Sequence, residues 1–280
     1  MKRIAIQGIP GSYHDIAAHH FFANEEIELI CCSSFKEIFE EMKKDSQVLG
    51  MLAIENTIAG SLLHNYELLQ NSGATIVGEH KLRIKHSCVC LPEDNWEDLV
   101  EINSHPVALA QCRDFLGEHP TLKVVERQDT ASSAKLISEG KLRGHAAICS
   151  IYAAQLYGMK VLQEGIETNK HNFTRFLMVS DKWKADEIRQ LSQCNKATLV
   201  FSLPHSEGSL SQVLSIFSFY KINLTKIQSL PIIGREWEYL FYVDLLFPDY
   251  LHYQQAITAV TPLTKELKIL GEYREGDSTL

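Results

Sequence analysis

Short apolar runs alternate with amphipathic stretches through the first two thirds of the chain. Residues 4–6 form an apolar run that predicts a first strand, and residues 49–54 predict a buried strand. Residues 34–44 place their apolar side chains at the i, i+3, i+4, i+7 spacing of a helix, at Phe35, Ile38, Phe39 and Met42. This alternation predicts a mostly parallel sheet with helices on both faces.

One β-rich run interrupts the alternation. The stretch ATIVGEHKLRIKHSCVCL (74–91) has 18 residues and no helical periodicity. A strand of that length would span ~60 Å at ~3.3 Å per residue, which is too long for one compact domain. We therefore expect it to cross between two lobes, with lobe one at about 1–78 and 174–183 and lobe two at about 79–173.

The C-terminal part of the chain follows a different order. Between 197 and 273 the predicted elements run strand, helix, strand, strand, helix, strand, which is the ferredoxin-like arrangement. The polar stretch 181–196 precedes them and predicts a helix or linker. The predicted architecture is therefore a two-lobed α/β domain over 1–183, followed by a small α+β ferredoxin-like domain over 195–280.

Composition and charge narrow the class of protein. The 280 residues are 45% hydrophobic and 22% charged, which is typical of a globular protein, and the formal net charge is −8. A nucleic-acid-binding protein would show a basic domain or stripe instead. No apolar run approaches the ~18 residues of a membrane span, and the first apolar run is too short for a signal peptide. We expect a cytoplasmic protein without nucleic-acid or membrane partners, in which the sequon at Asn172 occurs by chance.

The seven cysteines are odd in number and include no C-x-x-C pair. They lie mostly in apolar surroundings, which favours reduced, buried thiols. Cys88 and Cys90 form an i, i+2 pair, but a zinc site would need a second pair or nearby histidines at the usual spacing. We expect no metal site.

Polar residues follow several of the predicted strands, where ligands of open α/β sheets bind. Glu55 comes directly after a buried strand, which is costly for a lone carboxylate, although a helix-capping polar cluster would also explain it. Ser104 or His105 could simply cap the next helix, whereas Gln111 lies too far along that helix to cap it. The loop 8–13 could likewise be a plain β–α turn.

These segments converge only if the two lobes face each other across a cleft. The cleft would then hold hydroxyls, the amides of Asn56 and Gln111, the Arg175 guanidinium and the Glu55 carboxyl. Arginine binds carboxylates in a bidentate manner, and helix N-termini add positive potential. The set suits a small ligand that carries carboxylates, and it does not suit a metal ion or a phosphoanhydride.

Six stretches together resemble the prephenate dehydratase family, and the resemblance covers nearly the whole chain. They are G-I-P-G-S-Y (8–13), I-E-N-T-x-x-G-S (54–61), S-H-P-x-A-L-A-Q-C (104–112), N-x-T-R-F (172–176), N-L-T-K-I (223–227) and W-E-Y-L-F-Y-V-D (237–244). The resemblance implies a two-lobed dehydratase domain similar to type II periplasmic binding proteins, followed by a regulatory ACT domain.

The resemblance also implies a reaction. Prephenate loses carbon dioxide and its ring hydroxyl to give phenylpyruvate, on the route to phenylalanine, without a cofactor. Thr174 matches the catalytic threonine of the family, with Glu55 or water as a relay, and Arg175 would clamp a substrate carboxylate. The remaining substrate-binding residues would be Ser12, Asn56, Ser104, Gln111 and Phe176. Two alternatives stay open: an arogenate dehydratase, and a non-catalytic sensor of small anions with the same fold.

The ACT resemblance implies feedback by L-phenylalanine and assembly into a homodimer or homotetramer through these domains. The implied effector-binding positions are Gly208, Leu210, Asn223, Leu224 and Ser229. The stretch 228–231 reads Gln-Ser-Leu-Pro where the family commonly has Glu-Ser-Arg-Pro, which removes a possible salt bridge. Gly208 could instead merely open a helix while Leu210 packs. The sequence leaves open the choice between prephenate and arogenate, whether phenylalanine inhibits, the oligomer size and the extent of cleft closure.

Overall fold

The structure is a computed structural model that describes residues 1–23, 25–188 and 193–279. Its contacts divide the chain into two compact units. The first unit contains Met1–Leu62 and His80–Phe176, with the last residues from Ser278 onward, and the second contains Leu63–Glu79 and Leu177–Asp277. The domain boundary near 183–195 remains a prediction, because this division follows contacts and assigns an inserted segment to the second unit.

Helices and strands follow one another along the chain in three groups. The first group is β1 (Lys2–Gln7), α1 (Tyr13–Phe21), β2 (Ile27–Cys32), α2 (Phe35–Lys44), β3 (Leu49–Asn56), β4 (Gly60–Ser61), α3 (Leu63–Ser72) and β5 (Thr75–Arg83). The second group is β6 (Ser87–Cys90), β7 (Glu101–Ser104), α4 (Pro106–Gln111), α5 (Arg113–Glu118), β8 (Lys123–Glu126), α6 (Thr130–Gly140), β9 (His145–Cys149), α7 (Ile151–Leu156) and β10 (Lys160–Glu164). The third group is β11 (Phe173–Ser180), α8 (Lys182–Ile188), β12 (Lys196–Ser202), α9 (Ser209–Phe219), β13 (Asn223–Pro231), β14 (Tyr239–Leu246), α10 (Tyr250–Val260), β15 (Lys265–Tyr273) and β16 (Ser278–Thr279). Short 3₁₀ turns cover Trp96–Asp98 and Thr261–Leu263.

The first unit contains two lobes, each built on a sheet. Lobe one uses the order β11-β3-β1-β2, in which β1 pairs in parallel with both β2 and β3. Its central strands are buried apolar runs, such as Ile4 to Ile6, as expected where helices cover a parallel sheet. Lobe two uses the order β10-β6-β9-β7-β8, with apolar clusters on both of its faces. The predicted two-lobed α/β arrangement is confirmed.

The predicted single strand over 74–91 is wrong in one respect. The structure has two strands there, β5 and β6, which lie in different sheets and are separated by Ile84–His86. The chain therefore does cross between sheets, as predicted. The ladder breaks because the returning segment takes up these backbone groups: Ile84 N donates to Asn172 O at 2.8 Å, and His86 N donates to Glu167 Oε2 at 3.0 Å.

The helix that was predicted to follow Ser104 and His105 is also interrupted. Cys112 has φ −109° and ψ 30°, and it ends α4 and begins α5. The returning segment again supplies the reason, because Thr168 N donates to the carbonyl of Gln111 at 2.8 Å and Thr168 Oγ1 accepts from Asp114 N at 3.1 Å. Gln111 thus stands at the last residue of a short helix.

The second unit contains the predicted β-α-β-β-α-β order in β12, α9, β13, β14, α10 and β15. Its sheet runs β13-β14-β12-β15, and β15 continues to β5, where a Cβ on Gly271 would clash with Ile76 O. Helices α9 and α10 cover one face around Phe201, Phe217 and Tyr253. On the other face Tyr66 of α3 meets Tyr242 at a ring distance of 5.0 Å. Segment 63–79 therefore belongs to this unit by packing.

The cysteines agree with the compositional analysis. The seven cysteines are free, and all but Cys31 are buried. Burial raises the pKa of Cys112 and of Cys149 to about 12 each, so these thiols stay protonated at neutral pH. Within the described residues, no helix is both long enough and apolar enough to cross a bilayer.

Candidate active site

Three of the predicted site residues meet where the two lobes join. Asn56 ends β3 of lobe one, Gln111 ends α4 of lobe two, and Thr174 lies near the start of β11. Asn56 Nδ2 lies 3.0 Å from Thr174 Oγ1, and Gln111 Nε2 lies 3.3 Å from Asn56 Oδ1. Asn56 and Gln111 are buried, while Thr174 is half-buried. The threonine hydroxyl is therefore held by an amide at the edge of the buried region.

A third amide, Asn172, closes these contacts into a ring. Asn56 Nδ2 donates to Asn172 Oδ1 at 2.8 Å, and Asn172 Nδ2 donates to Gln111 Oε1 at 2.9 Å. Gln111 Nε2 then donates back to Asn56 Oδ1. Each of the three side chains gives one hydrogen bond and accepts one within the ring. We call Asn56, Asn172 and Gln111 the amide ring.

Backbone groups determine the direction of the amide ring. The Asn56 side-chain oxygen also accepts from Ile58 N at 2.9 Å and from Ala59 N at 2.8 Å. Backbone N–H groups can only donate, so this atom must be oxygen and Asn56 Nδ2 must face Thr174. Toward Asn56 Nδ2, which also lies 3.2 Å from Phe173 O, Thr174 Oγ1 can only accept, so its own hydrogen is left to point at another group.

His86 and Tyr13 extend the amide ring. His86 Nε2 lies 3.0 Å from Gln111 Oε1, and its Nδ1 lies 2.9 Å from the Tyr13 hydroxyl. The same hydroxyl donates to Lys85 O at 2.6 Å. Burial lowers the pKa of His86 below its ordinary value, so the imidazole is neutral at neutral pH. Burial also raises the pKa of Tyr13, which keeps its phenol protonated.

Arg175 and Glu55 form a second contact beside the first. Arg175 Nη1 lies 4.0 Å from Glu55 Oε2, with side-chain exposures of 11% and 35%. Each is the chain neighbour of a residue in the Asn56–Thr174 contact. The guanidinium is thus a mostly shielded positive charge whose present neighbour is a more exposed carboxylate. An incoming carboxylate would share Arg175 with Glu55 or displace it.

The other predicted substrate-binding residues are held by the protein itself. Ser104 is fully buried and donates to Ile148 O at 2.6 Å. Ser12 caps α1 by accepting from Asp15 N at 3.3 Å. Phe176 is buried edge-on against His14 at a ring distance of 5.0 Å. Substrate binding by these three stays a prediction.

The loop 8–13 fastens lobe one to lobe two. Gly11 has φ +90°, and a Cβ there would lie 3.1 Å from Ala153 of α7. Ser150 Oγ donates to Gly11 O at 3.0 Å, and the Tyr157 hydroxyl donates to Pro10 O at 2.6 Å. Glycine is therefore required both by the backbone conformation and by the close approach of the helix.

Asn172, His86 and Tyr13 are site residues to which sequence reasoning assigned no role. Asn172 fell within a matching motif but was treated as a chance sequon, and His86 lay inside a predicted strand.

Asp129 is a plain helix cap, accepting from Ala131 N at 2.6 Å and from Ser132 N at 3.0 Å. Among the described residues, no group of three or more His, Cys, Asp or Glu side chains could hold a metal ion.

Two of the five predicted effector positions lie at or beside a cavity in the second unit. The cavity has a volume of about 150 Å³ and is lined by Ser209, Leu210, Trp237 and Phe241 among others. Gly208, with φ +76°, caps α9 beside it. The remaining predicted positions, Asn223, Leu224 and Ser229, lie on β13 and do not line this cavity. Effector binding at all five positions stays a prediction.

Comparison with known proteins agrees with the sequence motifs. A family profile described as prephenate dehydratase matches residues 4–184. Arogenate dehydratase 1 of Petunia hybrida is 36% identical over 97% of this chain and 66% of its own length. The bifunctional chorismate mutase/prephenate dehydratase of Escherichia coli K12 is 32% identical over 97% of this chain and 70% of its own length. The chain thus spans about two thirds of the length of these relatives.

Solved structures show the same fold over the full chain. GqqA, described as a novel type of quorum quenching acylase, has a TM-score of 0.86, 29% identity and 98% coverage of both chains. Prephenate dehydratase from Arthrobacter aurescens, in complex with L-Phe, has a TM-score of 0.84 and 24% identity, covering 98% of this chain and 90% of that one. Motifs, family profile and fold lead to one conclusion: the chain belongs to the prephenate dehydratase family.

Proposed function

We propose that the chain is a carbon–oxygen lyase that converts prephenate to phenylpyruvate, as a step of phenylalanine synthesis. In this reaction the bond between the ring and its carboxylate breaks, and that electron pair aromatises the ring and expels hydroxide from the opposite carbon. Carbon dioxide leaves, and the departing hydroxide takes up one proton to become water. The observation that carries the proposal is the Asn56–Thr174 contact, because it makes Thr174 a hydrogen-bond donor toward a ligand.

Thr174 is the proposed donor to the departing hydroxyl. A threonine hydroxyl is a poor acid alone, so its proton would be replaced through Glu55 or water. General acid help of this kind is worth about 10²- to 10⁴-fold in rate. Positioning and electrostatic stabilisation supply the rest of the acceleration.

Arg175 is the proposed clamp for a substrate carboxylate. The formal net charge is −8, so a dianionic substrate requires a locally positive group. The Arg175 guanidinium is such a group, and its planar fork matches a carboxylate. A neighbouring carboxylate at 4.0 Å, Glu55, would keep this positive charge partly balanced until substrate arrives.

Acyl transfer, the chemistry named for GqqA, is less well supported by this geometry. A threonine nucleophile needs a base that accepts its proton. The group that contacts Thr174 Oγ1 is the NH₂ of Asn56, which is a donor and cannot act as that base. A passive sensor of small anions is the other alternative, and turnover of prephenate by the purified chain would exclude it.

Arogenate dehydratase is the alternative within the family. Arogenate carries an amino group where prephenate has its side-chain keto oxygen, and several relatives with 34% to 36% identity are named arogenate dehydratases. The test is one assay of the purified chain with each substrate in turn. We expect phenylpyruvate, which absorbs strongly in alkali, to form from prephenate. Turnover of arogenate alone would assign the chain to the alternative, and turnover of neither would refute both.

The second unit is proposed to bind L-phenylalanine as a feedback effector. The proposal is supported by a cavity in this unit that Leu210 lines, next to Gly208 at the start of α9. Assembly through this unit is also proposed, as a homodimer or homotetramer. In the described sheet β13 pairs with β14 on one side and ends the sheet on the other, and such an edge favours pairing with a second chain.

The seven free cysteines favour a reducing compartment such as the cytoplasm.

A further inference from the structure

We propose that Asn172 and His86 are positioning residues, which hold the Thr174 hydroxyl in its donor orientation through the amide ring. This inference rests on the proposed function for its catalytic consequence. Its structural content, the direction of every hydrogen bond in the amide ring, stands on the contacts alone. Neither residue contacts the reacting atoms; both act through Asn56 and Gln111.

The amide ring can run in only one direction. Asn56 Oδ1 is identified as oxygen by the two backbone donors, Ile58 N and Ala59 N. The Gln111 atom that faces it at 3.3 Å must therefore be nitrogen. The other Gln111 atom is then oxygen, so the Asn172 atom 2.9 Å from it must be nitrogen. The Asn172 oxygen is left to accept from Asn56 Nδ2, which closes the circle.

The direction of the amide ring determines the tautomer of His86. Gln111 Oε1 is an acceptor, so His86 Nε2, at 3.0 Å from it, must carry a hydrogen. In the neutral imidazole Nδ1 is then an acceptor, so the Tyr13 hydroxyl shares its one hydrogen between Nδ1, at 2.9 Å, and Lys85 O, at 2.6 Å. The imidazole thus supplies a second donor to Gln111 Oε1, alongside Asn172, and opposes rotation of the glutamine amide.

The amide ring also connects the parts of the first unit that would move during cleft closure. Asn56 belongs to lobe one and Gln111 to lobe two, while His86 and Asn172 lie on the two segments that cross between the lobes. The two crossing segments are tied by the bond from Ile84 N to Asn172 O at 2.8 Å. A shift of one lobe would break the ring at Gln111 and leave the Asn56 oxygen held only by its backbone donors. The full set of hydrogen bonds around the Asn56 amide therefore forms only when the lobes are together.

Asn172→Asp tests the direction of the amide ring with almost no change of shape. The new carboxylate would meet Gln111 Oε1, and rotation of the Gln111 amide would instead bring its oxygen against Asn56 Oδ1. Because the contact with a charged carboxylate is the costlier of the two, we expect the Gln111 amide to rotate and the His86 hydrogen to move to Nδ1. Nitrogen chemical shifts of ¹⁵N-labelled histidine at pH 8 report the tautomer, and the His86 signal is identified by its loss in His86→Gln.

Asn103→Asp is the matched control for this spectrum. Asn103 is also a buried asparagine of the first unit, and its side chain bonds to Arg127 and Ala146, away from the amide ring. We expect it to leave the His86 tautomer unchanged. A wild-type His86 with its hydrogen on Nδ1, or a tautomer that stays the same in Asn172→Asp, would overturn the proposal.

Kinetics test the consequence for catalysis. His86→Gln can keep a donor toward Gln111, whereas His86→Leu cannot. We expect kcat to fall about 10- to 100-fold in His86→Leu and in Asn172→Asp, with KM changed less than about threefold, and to recover largely in His86→Gln. Equal kcat in the two His86 variants would overturn the positioning role.

The two proposals fail in distinguishable ways. If the wild-type chain turns over neither prephenate nor arogenate, the proposed function fails, and the histidine tautomers alone decide the amide ring. If the wild type is active but the tautomer or the His86 pair behaves otherwise than expected, only the positioning role fails. Should Asn172→Asp not fold, as judged by its melting temperature, the comparison of His86→Gln with His86→Leu decides.

Discussion

The side-chain amide of Asn56 donates to the hydroxyl of Thr174 across 3.0 Å. This contact joins the end of β3 to the start of β11, and its direction follows from the backbone donors Ile58 N and Ala59 N on the other end of the same amide. A hydroxyl that accepts from the protein has its hydrogen available for a ligand. This contact therefore leaves Thr174, at the junction of the two lobes, as a hydrogen-bond donor for a ligand.

Arg175→Lys should separate binding from chemistry. Lysine keeps the positive charge but lacks the planar fork that holds both carboxylate oxygens. We expect KM for prephenate to rise by about tenfold or more, with kcat changed less, as measured by steady-state kinetics. Lys170→Arg, at an exposed position nearby in the chain, is the control. An unchanged KM would remove Arg175 from the clamp.

His14 should make the protein less stable as the pH falls below neutral. Burial lowers its pKa to about 3, and its Nε2 accepts from Ala53 N at 3.3 Å. An unfolded histidine has a pKa of about 6.5. Between these values the unfolded chain binds a proton that the folded chain does not. The contribution of His14 to the free energy of unfolding should thus be fully present above about pH 6.5. Below that pH it should fall by about 1.4 kcal/mol per pH unit toward pH 3.

The variant His14→Gln keeps an acceptor but does not titrate. Urea unfolding at pH 7, 5.5 and 4.5 should show a shallower loss of stability for this variant than for the wild type. His64→Gln, at an exposed position, should retain the wild-type slope. Equal slopes in all three proteins would contradict the assignment to His14.

The buried pair of Lys196 and Glu79 should be costly to break. Lys196 Nζ lies 2.8 Å and 3.0 Å from the two Glu79 oxygens, with side-chain exposures of 3% and 0%. Glu79→Gln leaves a buried ammonium without its counter-charge, and we expect a loss of about 3–5 kcal/mol in the free energy of unfolding. Glu25→Gln removes the exposed pair with Lys2, where both side chains are more than 40% exposed, and should cost less than about 1 kcal/mol. Similar losses in the two variants would contradict this account.

Trp237 should contribute to effector binding. It lines the cavity beside Leu210 and is 71% exposed. Millimolar L-phenylalanine should raise the melting temperature of the wild type and lower its kcat. Trp237→Ala should weaken binding roughly tenfold, because apolar contact area is lost. Trp183→Ala, at an 81% exposed position outside the cavity, is the control, and no response of the wild type to phenylalanine would refute the effector site.

Local patterns in the sequence predicted most of the fold. Helical and alternating periodicities are properties of neighbouring residues. The two lobes and the β-α-β-β-α-β order could therefore be predicted directly from the sequence. The breaks at Ile84–His86 and at Cys112 could not. Both are made by the returning segment, through Asn172 O, Glu167 and Thr168, which are distant in sequence.

The candidate site was predictable to a similar extent. Motifs identified Asn56, Gln111 and Thr174, which the structure brings together. Asn172, the third residue of the amide ring, was missed because it is 116 residues from Asn56, and no local sequence pattern indicates such a contact. The burial of Ser104 could not be predicted either, since its hydrogen bond to Ile148 O joins residues that are 44 positions apart.

The most direct test of the account compares Thr174→Val with Thr174→Ser for the formation of phenylpyruvate from prephenate. Valine keeps the shape of threonine but has no hydroxyl, whereas serine keeps the hydroxyl. We expect kcat to fall by about 10²- to 10⁴-fold in Thr174→Val, with little change in KM, and to stay within about tenfold of the wild type in Thr174→Ser. A Thr174→Val enzyme with near wild-type kcat would contradict the central claim that this hydroxyl assists the departing group.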